Sequence, residues 1–497
     1  MSKKNKKQIV MVVALLLLVC TGVGYVFASR YVADKEAKEE AANENVSSVE
    51  ICSYDAEDIV RISFIGSTGS MVLENDDEVW VNAADEDFPV DQDIASTMAE
   101  KVAAVSTEKI VNEDGKDKAD YGLEEPDLSI DVTMADGENY SLYIGEDSSA
   151  VEGCFAYTSL SDRIFIIDSS VPDAFDYSEK QLIDIEDIPA ITADYVTHIR
   201  VSGRKMNHIF EADYDENNSQ SKDIYGWDIT SPFKETVAGD IYQLSELFGN
   251  YTSLSFAECT DYTGKHEKKY GLDKPAYIID LNYYEVETQE SDDEEEQEEK
   301  HIPYTYHLEI GKQDASGEYY YVRPEDSKRV YLMEASMAEA LLPGDAFQYI
   351  YANMYLGTVY TLNTIDMKAD GKAYHMTLER HETKTEQTEG EDGENEESDI
   401  TFTAKIDGKE VDEEAFRMAY GSAGALSYNG VIDENMACSD TPVYQFTFTE
   451  EERTVKLKFL PYDEKNYRVD VDGQMLFVTE KEAVDNFVNG FLELIEK

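Results

Sequence analysis

The sequence predicts an α+β fold: an N-terminal transmembrane helix, then tandem β-rich repeats, each with one amphipathic helix and a strand meander. Three observations predict it. An uncharged run from Ile9 to Ala28 follows a lysine-rich start, and a Tyr-Gly-Leu-x-x-Pro motif recurs 149 positions after its first occurrence. Around each motif the hydrophobic period changes from helical to alternating.

The first element is the apolar run. Lys3, Lys4, Lys6 and Lys7 form a basic stub over residues 1–7, and IVMVVALLLLVCTGVGYVFA supplies 20 uncharged residues inside a span placed at 8–28. That length matches a helix crossing a roughly 30 Å hydrocarbon core. The lysines should stay cytoplasmic, which places an acidic stalk (29–55) and the bulk of the chain outside the cell membrane, in single-pass topology. A cleaved leader ending at Ala28 fits less well, because its apolar region is typically about 7–15 residues. Lipidation at Cys20 lacks the small residue expected just before the cysteine.

The repeats come next. Tyr121-Gly-Leu-Glu-Glu-Pro126 returns as Tyr270-Gly-Leu-Asp-Lys-Pro275, and the only tryptophans, Trp80 and Trp227, are 147 apart. Before the first motif, Ile94, Met98, Val102 and Val105 lie on one helical face, with Asp91 as the expected N-cap. Before the second, Ile241, Leu244, Leu247, Phe248 and Tyr251 do the same. After each proline the apolar residues alternate: Leu128, Ile130, Val132 and Met134, then Tyr277, Ile279, Leu281 and Tyr283. Each copy closes with two strands and a short helix, Ser170 to Phe175 and Ser336 to Leu342. A third, degraded copy starts its helix at Val411-Asp-Glu-Glu and ends with Lys481 to Phe487, but has Ala437-Cys438-Ser439 where the Tyr-Gly-Leu motif belongs. The expected units are therefore 56–190, 191–350 and a divergent 351–497. Within the motif, Gly supplies a backbone conformation closed to other residues and Pro starts a strand without needing a donor. The motif therefore reads as structural.

Composition restricts partners. With 42 Lys+Arg against 106 Asp+Glu the net charge is −64, yet 42% of the residues are hydrophobic, so the chain folds instead of remaining disordered. Such acidity excludes nucleic acid, whose phosphates need a basic footprint. Glu287 to Lys300 and Glu382 to Asp399 read as long acidic hairpin loops. Without their 16 net charges −48 remains, so acidity belongs to the whole surface.

No catalytic constellation emerges. The histidines (His198, His208, His266, His301, His307, His375, His381) are dispersed. His266-Glu267 opens like a zinc-protease motif but Tyr270 stands where the second ligand must be, and His301 and His307 share a strand face without a third ligand. Ser106-Thr-Glu-Lys109 matches a short nucleophile pattern at an expected helix end, with no Lys-Thr-Gly to accompany it. Cys52, Cys154, Cys259 and Cys438 are widely spaced, lack a Cys-x-x-Cys, and read as isolated thiols. The sequence assigns no catalytic, cofactor-binding or metal-binding residue, and predicts no cofactor and no enzyme activity.

The basic start and apolar run, Phe88-Pro89-Val90 at the helix start, the two Tyr-Gly-Leu-x-x-Pro motifs and Tyr143-Ile144-Gly145 together resemble the family called domain of unknown function 4340. The resemblance covers about residues 58 to 345. It implies an envelope protein, often encoded beside an ABC-type transporter with a gliding-motility-like auxiliary subunit. The expected function is a non-catalytic, membrane-anchored extracytoplasmic scaffold, with an ABC-type permease or its auxiliary subunits as partners. The alternative is a module binding carbohydrate or wall polymer through tyrosine-rich strands such as Tyr319-Tyr320-Tyr321 and Tyr283-Tyr284.

Overall fold

The structure, a computed structural model, describes residues 49–496 apart from 150, 216–225, 290–297, 325–326, 385–397, 434, 437–438 and 452. Ile9–Ala28 lies outside the described residues, and among those described no helix is long and apolar enough to cross a membrane. The α+β expectation is corrected. Strand accounts for 46% and helix for 19%, so this is a mostly β protein built on three antiparallel sheets. The reason is physical: a few helices cover the main apolar face of each sheet, and the opposite face carries only local cover, such as the small buried cluster of Tyr270, Leu272 and Val330 on the second sheet.

The chain forms two compact units, one of residues up to Glu186 with Glu258–Thr263, the other of Asp187–Ala257 and Gly264 onward. The first unit holds β1 (Val49–Ser53), β2 (Ile59–Ile65), β3 (Ser70–Asp76), β4 (Val79–Asn82), helix α1 (Gln92–Ala103) and β5 (Ala104–Asn112). These are followed by β6 (Leu128–Met134), β7 (Asn139–Asp147), β8 (Cys154–Thr158) and β9 (Ser161–Ile167). Strand β1 falls within the stretch expected to be stalk, and its register with β5 makes it a sheet edge.

The second unit starts with β10 (Val196–Ser202), β11 (Phe210–Tyr214), β12 (Trp227–Ser231), β13 (Val237–Ala238) and α2 (Ile241–Gly249). The short β14 (Glu258–Asp261) groups with the first unit. The second sheet is completed by β15 (Tyr277–Gln289), β16 (Glu298–Gln313), β17 (Tyr319–Pro324) and β18 (Val330–Glu334). The third uses β19 (Leu362–Ala369), β20 (Lys372–Lys384), β21 (Ser398–Ile406), β22 (Lys409–Val411), α3 (Glu413–Gly421), β23 (Gly430–Val431), β24 (Tyr444–Glu450), β25 (Thr454–Pro461), β26 (Asn466–Val471), β27 (Gln474–Glu480) and α4 (Lys481–Glu496).

Seven strands have the same spatial order in every sheet. The first runs β9-β8-β7-β6-β2-β3-β4, the second β18-β17-β16-β15-β10-β11-β12, the third β27-β26-β25-β24-β19-β20-β21. Finer details repeat too. The central strand of each sheet has a register shift at one position, between Ile59 and Arg61, Val196 and His198, and Leu362 and Thr364. The isoleucine that follows, Ile62, Ile199 or Ile365, is fully buried. Each main helix starts from an aspartate N-cap: Asp91 accepts from Ile94 N–H, Asp240 from Tyr242 and Gln243 N–H, and Asp412 from Ala415 N–H.

Alternation produces the layering. In β6 the residues Leu128, Ile130, Val132 and Met134 are buried while those between face outward. The helices cap the buried face through Tyr140 to Val102 O, Trp227 against Phe248 at 5.0 Å, and Phe446 against Phe487 at 5.0 Å. Two strands outrun the hydrophobic pattern. β15 and β16 pair as far as Gln289 opposite Glu298, and ladder hydrogen bonding continues past exposed Glu285, Glu287, Lys300 and His301.

Candidate functional site

The twice-repeated motif forms a helix-ending turn locked against the sheet. Short helical turns at Lys118–Tyr121 and Glu267–Tyr270 end at Gly122 (φ 68°) and Gly271 (φ 75°), both left-handed. The next residue closes each turn, Leu123 N–H donating to Lys118 O and Leu272 N–H to Glu267 O, each at 2.9 Å. Both leucines are buried, Tyr121 packs edge-on against Phe155 at 5.0 Å, and Tyr270 against Tyr321 at 4.8 Å. Opposite each turn lies a second glycine that must lack a side chain. A Cβ on Gly145 would be 2.4 Å from Tyr121 O, and one on Gly311 would be 2.3 Å from Tyr270 O. The motif is therefore an anchor between turn and strand.

The register assigns the equivalent position in the third sheet. Leu128 faces Ile144, Tyr277 faces Ile310 and Tyr444 faces Phe459, so Gly145, Gly311 and Leu460 correspond. Leu460 is buried at that position. The third sheet therefore lacks both the motif and the strand glycine that faces it.

Within the second unit, a cleft of about 330 Å³ is lined by Tyr351, Met354, Tyr428, Arg453, Gln474 and Phe477, among others. Nearby, Tyr355 stacks on Phe448 with centroids 4.2 Å apart and donates to Glu450 Oε1 at 2.5 Å. Arg453 Nε binds the other Glu450 oxygen at 2.9 Å. Burial, then the Glu450 hydrogen bond, pushes the Tyr355 phenol far above the usual range, so it remains a neutral donor. Tyr355 and Arg453, which meet on Glu450, both line the cleft.

The outward face of the second sheet is more polar. His198 on β10 and Asp213 on β11 are cross-strand partners, with Nδ1 and Oδ1 2.6 Å apart. Thr230 donates to the other Asp213 oxygen at 3.1 Å. Glu211, two residues before Asp213, faces Arg200, with Arg200 Nε 3.7 Å from Glu211 Oε2. Farther along, His307 Nδ1 meets Asp280 Oδ1 at 2.6 Å. The hydrogen bond to Asp213 raises the His198 pKa, and the same bond lowers that of Asp213. Among the described residues, His198, Glu211 and Asp213 are the one group of metal-capable side chains whose ligand atoms all lie within 4.8 Å of one another. Sequence spacing could not find it. Glu211 and Asp213 share a face by alternation, but the pairing with His198 depends on register.

The other sequence candidates are dispersed. Ser106 and Lys109 lie on β5 instead of at a helix end, and His266 precedes the Glu267–Tyr270 turn. His301 stacks on Tyr284 at 4.2 Å, with Tyr195 against the same tyrosine at 4.8 Å. Tyr320 and Tyr283 belong to the core. Cys52 and Cys154 are buried thiols without a disulfide, Cys259 is buried, and Cys438 lies outside the described residues.

Three sheets of one topology on one chain define a tandem-repeat β protein. The family model described as Domain of unknown function (DUF4340) matches residues 80–221 and 227–411, about two-thirds of the chain, and the protein belongs to that family. The matches start at Trp80 in β4 and Trp227 in β12, equivalent strands, so the family's sequence module runs from the end strands of one sheet into the start of the next. No curated protein and no solved structure matches the chain.

Proposed function

We propose that this protein is a non-catalytic extracytoplasmic scaffold, tethered to the cell membrane through the apolar Ile9–Ala28 run, and an accessory subunit of an ABC-type transport or envelope complex. One observation carries the reading: one seven-strand order recurs in three nine-strand sheets, each with a buried apolar face and an opposite face that is only locally covered. Broad, fixed, repeated faces suit docking to partner subunits. The net charge of −64 keeps those faces soluble and off anionic lipid, so selectivity comes from paired side chains instead of general attraction.

The test is mild crosslinking of the full chain in its native membrane, followed by affinity purification. Co-purification of a permease or auxiliary subunit supports the scaffold, and a purification without either overturns it. A second reading, binding of carbohydrate or wall polymer, draws on the partly exposed Tyr195–Tyr284–His301 stack. It is weakened by the fact that Tyr284 already spends both ring faces on its neighbours. Retention of the soluble part on wall polysaccharide would favour it over the scaffold.

A further inference from the structure

We propose that His198, Glu211 and Asp213 form a binding site for a divalent first-row transition ion of the zinc class, on the solvent-facing side of the second sheet. The geometry supports this in three ways. Ligands at the metal distances of about 2.0–2.2 Å stand roughly 3.3 Å from one another in a tetrahedral shell, so atoms already within 4.8 Å need only small side-chain rotations. Two strands hold them, His198 and Asp213 as direct cross-strand partners and Glu211 two residues along the same face, so the backbone is already placed. Thr230 holds the second Asp213 oxygen, the outer hydrogen bond that orients a ligating carboxylate.

The repeats provide an internal comparison. Registers make His198 equivalent to Arg61 and Thr364, Asp213 to Glu74 and Thr377, and Glu211 to Val72 and His375. The first sheet fills these positions with an Arg61–Glu74 ion pair, and the third with two threonines and His375. Only the second carries three ligands. Nor does a His–Asp pair alone make the site: His307–Asp280 and His375–Asp366 have the same contact at 2.6 and 2.7 Å without belonging to a three-ligand group. One imidazole nitrogen with two carboxylates favours zinc-class ions over magnesium or calcium, which take oxygen shells. When the ion enters, it takes the place of the shared proton between His198 Nδ1 and Asp213 Oδ1, and water completes the shell. The Arg200 contact to Glu211 is long, so that carboxylate can turn without losing a short hydrogen bond.

The experiment titrates the full chain with Zn2+ in competition with a chromophoric chelator, and with Co2+ by visible absorption, in millimolar Mg2+ to saturate weak acidic sites. One tight site is expected in the parent. His198→Gln should weaken it by about tenfold or more, Glu211→Gln should do the same, and His375→Gln should leave it unchanged. Thermal unfolding without metal checks that the variants fold, and Glu211→Gln serves if His198→Gln does not. Equal Zn2+ affinity in the parent and a folded variant of either ligand overturns the site. So does displacement of the ion by Mg2+ or Ca2+.

Discussion

The first two sheets and the third solve one problem differently. In the former, a left-handed glycine turn is seated against a strand glycine, the Tyr121–Gly122 backbone on Gly145 and the Tyr270 carbonyl on Gly311. In the latter, Leu460 replaces the strand glycine, and the closing helix lengthens into α4, whose Phe491 packs against both Phe416 of α3 and Phe487. The first solution fixes a close backbone approach, and the second puts a buried leucine at the strand position. A repeat can lose its signature motif and keep its topology, provided the motif's packing partner changes with it.

The sharpest way to break the comparison is Gly311→Val. A side chain 2.3 Å from Tyr270 O forces the turn away, and a loss of about 3–5 kcal/mol is expected in urea unfolding of the second unit. Leu460→Ala, the converse change, empties buried volume and should cost about 3 kcal/mol. A small effect there would mean that Leu460 does not replace the turn. Gly271→Ala places a Cβ at positive φ and 3.2 Å from Lys312 N, and about 1–2 kcal/mol should appear as a lower unfolding midpoint. Asp412→Ala removes a cap common to all three sheets and should cost about 1 kcal/mol, as should Asp240→Ala. The smallest effect concerns Cys154, whose thiol burial and the Asp147 carboxylate push up to about 11. Its raised pKa means the folded state keeps a proton that the unfolded chain releases near pH 9, so this contribution is intact below pH 9 and is lost as pH rises through 11. Alkylation of Cys154 at pH 8 should be far slower in the folded protein than in urea.

Much of this was legible before any coordinates. The repeat spacing, the Asp91 cap and the structural role of Tyr-Gly-Leu follow from residue types with a fixed conformational use. Fold class was not, because strands such as β1, and the ends of β15 and β16, pair through backbone without an alternating apolar face. Nor was the full α4. The expected helix stopped at Phe487, by analogy with the short helices of the earlier copies, whereas Phe491 continues the stripe. Gly490 interrupts that pattern for a tertiary reason, since a Cβ there would meet Ala419 Cα at 3.3 Å. The His198 group was hidden for a similar cause: 13 and 15 residues of separation become contact only through the β10–β11 register.

The offset between family module and sheet has a practical consequence. A fragment cut at the family bounds, 80–221, would carry the later strands of one sheet with β10 and β11 of the next, leaving apolar ladder edges open on both. Such a fragment should aggregate, whereas cuts in the links before β10 or β19 keep each set of seven strands whole. The same phase lets an array grow by one module without leaving any internal sheet unfinished, since every inserted module closes the sheet behind it and opens the one ahead.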